Sequence, residues 1–87
     1  MPASDPFHAI SDATRRHILE ELRRGPKTVN VLAAGLPISR PAVSQHLKIL
    51  LDAALVKVEV SGTKRIYTTD DMGFTRLNVW LDQFWKA

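Results

Sequence analysis

Between Glu21 and Asp52 the sequence contains no carboxylate, yet Arg23, Arg24, Lys27, Arg40 and Lys48 all fall in that interval. Within it, Ser39, Arg40, Pro41, Ser44, Gln45 and Lys48 stand at spacings that a helix gathers on its outward side. That side then carries one guanidinium, one ammonium, one amide and two hydroxyls. Such groups can read a DNA duplex: Arg donates two parallel hydrogen bonds to guanine, Gln pairs with adenine, and Ser and Lys reach phosphate oxygens. A carboxylate on the same side would repel each phosphate, so its absence has a physical use. The plain alternative is an amphipathic helix with a solvated polar face. The helix alone does not decide between the two, so the elements that position it must.

Ser39 is a suitable N-cap, and Pro41 is tolerated in the first turn, where no intrahelical donor is required. The helix is predicted to run to about Asp52 or Ala53, with Val43, Leu47 and Leu50 facing inward. Upstream, Asp12 caps a helix over 13–24 that ends at Gly25-Pro26, Gly25 supplying a left-handed cap. Thr28 caps a short helix closed by Gly35, and Leu36-Pro37-Ile38 leaves room only for a tight turn. Two helices joined in this way make a helix-turn-helix. Downstream the period changes to two: residues 55–60 and 64–68 alternate about the turn Ser61-Gly62-Thr63, which predicts a β-hairpin. Lys64 and Arg65 follow its tip, where a wing would add phosphate contacts. The predicted fold class is mainly α with a small β-hairpin: a winged helix-turn-helix of five helices and one two-stranded wing.

The chain's 87 residues, 45% of them apolar, fit one folded domain spanning 1–87. The net charge of +3 is unevenly placed: residues 1–12 carry −2, residues 13–69 carry +6, and residues 70–87 carry −1. With no cysteine, neither a disulfide nor a thiolate metal site is available. The N-terminus lacks a basic, then apolar, leader, and no apolar run suits a membrane span, so a cytoplasmic protein is expected. Four of the six aromatic residues, Phe74, Trp80, Phe84 and Trp85, lie in a last helix predicted from about Met72 to the C-terminus and capped by Asp70 or Asp71. With Leu77 and Leu81 they form a stripe too wide for so small a core. Phe7 and Ile10, in a lead-in helical turn, extend the seam. A homodimer through these terminal helices is expected; the alternative is a last helix packed wholly on its own domain.

The run Ser39-Arg40-Pro41-Ala42-Val43-Ser44-Gln45-His46-Leu47-Lys48-Ile49-Leu50, followed by Ala53-Ala54-Leu55-Val56, resembles the recognition helix and following strand of the ArsR-type family, and within it the SdpR-like branch. Residues 7–16 resemble that family's opening segment, and Gly62 with Arg65-Ile66-Tyr67 resembles its wing. The resemblance implies a homodimeric winged helix that represses transcription by binding an inverted-repeat operator. Two positions depart from the family: Ala13 stands where Pro is usual, and Ala54 where Gly is usual. Because Ala in a left-handed cap costs on the order of 1 kcal/mol, the recognition helix is expected to end by another geometry.

Metal-sensing members of the family use a Cys pair in the first helix of the motif, or Asp and His on the last helix. Here the first position reads Thr28-Val29-Asn30-Val31-Leu32-Ala33, and the last helix has no His. His8, His17 and His46 are not at chelating spacing, and His8 or His17 with Asp70 or Asp82 across a dimer is the one arrangement left to weigh. No metal and no cofactor are expected. His46 is expected at the edge of the recognition helix, packed or hydrogen-bonded there and within reach of phosphate. No Cys nucleophile, Gly-rich phosphate loop or paired carboxylate supports an enzyme. The expected function is a DNA-binding transcriptional regulator, its release signal left open among a small-molecule inducer, a partner protein and autoregulation by concentration. A winged helix that docks on protein instead of DNA is the alternative, disfavoured because it has no reason to exclude acids.

Overall fold

In the computed structural model, which describes residues 5–85, five helices and three strands follow one another. Each helix starts on a side chain that accepts one of the helix's own unpaired N–H groups. Asp5 accepts from His8 N at 2.8 Å to start α1, Pro6–Ala9. Asp12 accepts from Arg15 N at 2.9 Å to start α2, Ala13–Arg23. Thr28 and Ser39 do the same through their hydroxyls for α3, Val29–Ala34, and α4, Arg40–Asp52. Of the two aspartates expected as the last cap, Asp70 is the one used, starting α5, Asp71–Asp82. The last helix does not reach the C-terminus: residues 83–85 are turns, closed by Phe84 N donating to Leu81 O. No helix among the described residues is long and apolar enough to cross a membrane.

The sheet has three strands, not the two expected. β1, Lys27–Thr28, β2, Val56–Ser61, and β3, Lys64–Thr69, lie in the order β1-β3-β2, all antiparallel. β1 escapes a search for alternation because two residues carry no period. It forms because Thr28 must be extended to serve as the cap of α3. Lys27 then pairs with Tyr67 and Thr28 with Ile66.

One core fills the space between the helices and the sheet. Ile18, Leu19 and Leu22 of α2 meet Leu32 of α3, Val43, Leu47 and Leu50 of α4, Leu55 just before β2, and Val56 and Tyr67 of the sheet, all buried. The inward face expected for the recognition helix is thus the observed one. Leu77, by contrast, was expected on an intersubunit seam and belongs to this core: at 7% exposed it has little area left for a partner.

The end of α4 also differs from expectation. The left-handed residue stands at Ala54, with φ +57°, whereas Gly25 has φ +151°, outside the helical left-handed region. Leu55 N donates to Leu50 O at 3.0 Å and Ala54 N to Leu51 O at 3.0 Å, which is a Schellman motif. Leu50 and Leu55, the positions between which the motif's apolar contact falls, are both fully buried in the core. The geometry is held in spite of the Ala side chain because burying Leu55 and pairing two carbonyls outweigh about 1 kcal/mol of backbone strain.

This turn explains a glycine in the first turn of α5. Gly73 N donates to Ala54 O at 2.8 Å, and a Cβ on Gly73 would lie 2.7 Å from both Ala53 O and Ala54 O. Opposite outcomes follow for two small substitutions, read by urea unfolding. Ala54→Gly stabilises the domain by about 0.5–1 kcal/mol by relieving the positive φ. Gly73→Ala, which raises helix propensity, nevertheless destabilises by about 2–3 kcal/mol because two backbone carbonyls must move.

Candidate nucleic-acid interface

α3 and α4 are joined by residues 35–39, with Leu36 and Ile38 half-buried against the core. The inward face of α4 therefore leaves Ser39, Arg40, Pro41, Ser44, Gln45 and Lys48 exposed. Ser39 spends its oxygen on the cap, accepting from Ala42 N at 3.2 Å, so it positions the first turn as well as lining it. Lys48 Nζ stands 3.5 Å from Asp52, four residues on, with both side chains solvated. Such an exposed pair is weak, and the ammonium remains available to a phosphate. Beside α4, β2 and β3 form the wing, with Ser61 opposite Lys64 and therefore a two-residue turn, Gly62-Thr63. Gly62 has φ +63°, the positive value a hairpin needs at the first turn position. Lys64 and Arg65, the first residues of β3, are exposed beside it.

His46 is placed differently from its neighbours. It is half-buried, and its Nδ1 lies 3.3 Å from Arg15 Nη1. A guanidinium has no acceptor, so Arg15 donates and Nδ1 accepts. This is the hydrogen-bonded placement at the edge of α4 expected for His46, and the bond helps to position α4. Arg15 was not singled out as functional, although its spacing to Ile18, Leu19 and Leu22 places it on the buried stripe of α2. It is 7% exposed, and its Nε donates to Ala9 O at 2.8 Å and its Nη2 to His8 O at 3.3 Å. A buried cation must be hydrogen-bonded to persist. Here it joins the last carbonyls of α1 to the recognition helix. Asp12 is part of the same corner: the backbone N–H of Arg15 holds its carboxyl below the ordinary 3.8, burial opposes this, and the charge of Arg15 adds to the lowering.

A second surface lies on the terminal helices. Phe7 of α1 meets Trp80 of α5 edge-on with ring centroids 5.2 Å apart, and Trp80 meets Phe84 at 4.7 Å. Phe7, Trp80, Leu81, Phe84 and Trp85 are exposed, the last two at 64%. Ile10 and Phe74, also expected on the seam, are only half-buried against the subunit's own core. Val79, which was not expected there, is 67% exposed on α5. Among the described residues no group of three or more His, Cys, Asp or Glu is arranged to hold a metal ion.

The family model described as a helix-turn-helix domain matches residues 10–59. The HTH-type transcriptional regulator Rv2034 of Mycobacterium tuberculosis is 51% identical over 79 residues, covering 91% of this chain and 74% of that protein. The transcriptional repressor SdpR of Bacillus subtilis is 46% identical over 50 residues, covering 58% of this chain and 56% of that one. The crystal structure of a possible transcriptional regulator for arsenical resistance superposes with a TM-score of 0.85 at 40% identity, over 95% of this chain and 86% of that one. The chain belongs to the ArsR-type helix-turn-helix family of transcriptional regulators. Within this ArsR-type frame, α3 and α4 are the helix-turn-helix and β2-β3 is the wing. The connection with arsenical resistance is the relative's own, and the present ArsR-type chain has no cysteine.

Two outcomes follow from the corner at Arg15. Arg15→Met removes the donor to Ala9 O, while His8 O keeps its bonds from Ser11 N and Oγ, and costs about 2 kcal/mol by urea unfolding, with faster amide exchange concentrated in α1. Asp12 has a folded pKa below its unfolded value, so its contribution is complete above about pH 4 and is lost as pH falls through the folded value. Asp12→Asn, which still caps, therefore flattens the acid limb of the stability curve below about pH 4 while changing neutral stability less.

Proposed function

We propose that this chain is a single DNA-binding domain that acts as a dimeric transcriptional repressor on an inverted-repeat operator, with no catalytic step. In this reading α4 enters the major groove through Ser44, Gln45 and Lys48, and the wing lies on the sugar-phosphate backbone through Lys64 and Arg65. The observation that carries it is the outward side of α4. It is exposed, carries no acid before Asp52, and no other described element of the chain covers it. The aromatic seam supports the dimer. Phe84 and Trp85, mostly in water, and Phe7 and Trp80, partly so, represent several kcal/mol of unclaimed burial at about 25 cal/mol per Å². A two-fold axis through that seam would set two recognition helices roughly 34 Å apart, one turn of the duplex.

Selection of bound duplexes from a randomised pool, followed by anisotropy titration, tests the DNA assignment. Gln45→Ala is expected to lose about 1–3 kcal/mol on the selected duplex and to relax its base preference. Lys64→Ala is expected to weaken all sequences alike. Wild-type protein that shows no affinity for any duplex, but is retained on another protein, would instead favour the protein-docking alternative. Sedimentation tests the seam: wild type is dimeric at micromolar concentration, whereas Trp80→Glu is monomeric with its fold intact. A monomeric wild type would remove the dimer from the account.

A further inference from the structure

The pairing of β1 with β3 has a consequence for Arg40. By setting Thr28 opposite Ile66, it brings the start of α3 beside the wing tip. Arg40, the first residue of α4, opens onto the same space. The result is an open cleft of about 480 Å³ whose lining includes Thr28, Asn30, Arg40, Thr63, Lys64 and Arg65. Three cations, two hydroxyls and one amide converge from β1, α3, α4 and the wing, and no carboxylate lines the cleft.

Resting on the DNA-binding reading above, we propose that this cleft holds one run of the duplex's phosphodiester backbone. Arg40 is then a phosphate contact shared with Lys64 and Arg65, not a reader of guanine, and Asn30 of α3 is a further contact in the same run. The chemistry favours phosphates over a base edge. A base pair presents two acceptors in the major groove, and one Arg satisfies both where guanine carries them. A backbone presents a succession of anionic oxygens that call for several donors spread along a trough. The cleft is such a trough, and Arg40 is flanked there by two other cations. Base reading is left to Ser44 and Gln45, farther along α4.

The two roles separate by substitution, because a phosphate accepts any point charge while guanine requires the guanidinium fork. The probes are a duplex of about 30 base pairs selected by the wild-type protein from a randomised pool and a scrambled duplex of the same composition. Arg40→Ala is expected to weaken both duplexes by the same factor, roughly fivefold to tenfold, and to reduce the salt slope by about 1. Arg40→Lys is expected to stay within about twofold of wild type on both. Asn30→Ala is expected to weaken both by about twofold to threefold. Loss confined to the selected duplex in Arg40→Ala, unrescued by lysine, would overturn the proposal and make Arg40 a base reader. Unchanged affinity in both Arg40→Ala and Asn30→Ala would show that no backbone lies in the cleft. Wild-type protein that binds neither duplex would overturn the DNA reading itself, and this proposal with it. Arg40 and Asn30 are exposed, and unchanged thermal unfolding of the variants checks that only binding is altered.

Discussion

Three backbone hydrogen bonds around one left-handed residue decide how the outward parts of this domain are aimed. At Ala54 the chain leaves α4 and starts the wing, and there it is met by the beginning of α5. Leu55 N donates to Leu50 O, Asp70 N to Leu55 O at 2.9 Å, and Gly73 N to Ala54 O at 2.8 Å. The candidate recognition face, the wing and the aromatic helix therefore share one anchor. Close packing turns that anchor into a constraint, since a single methyl group on Gly73 would meet two carbonyl oxygens. A dimer held by α5 could then set the spacing of two recognition helices without any flexible connection between seam and site.

Arg15 ties the same surfaces together from the other side. Its guanidinium links the end of α1, which carries Phe7, to His46 on α4. A charge placed in the core is an expensive way to join two elements unless its hydrogens are satisfied, and here its bonds go to two carbonyls and an imidazole. The domain's outward chemistry is thus supported on both sides: the Ala54 turn sets α4 against α5, and Arg15 sets α4 against α1.

Much of this architecture was legible in the residues because it is decided locally. Asp12, Thr28, Ser39 and Asp70 announce helix starts through the reach of their own side chains, and the alternation about Gly62 announces the wing. What was missed depends on long-range contact. β1 is two residues long and exists through its pairing with β3, so no period reveals it. The cleft beside Arg40 follows from β1 and was hidden with it. Ala54 was expected to avoid the left-handed region on local cost, and buried Leu55 overrides that cost. Leu77 lies on the same apolar stripe as Trp80 and Phe84, and periodicity cannot say which part of a stripe faces the chain's own core. His46 was expected to pack or hydrogen-bond at the edge of α4, but no local spacing names its partner, Arg15, thirty-one positions earlier.

The central claim is that the outward side of residues 39–48 meets the duplex. Backbone amide chemical-shift mapping during titration with a selected duplex tests it most directly. The account predicts salt-sensitive perturbations concentrated in Ser39–Lys48 and at Lys64 and Arg65, with α5 little changed. Perturbations confined to α5 and α1, with the amides of α4 unmoved, would contradict it.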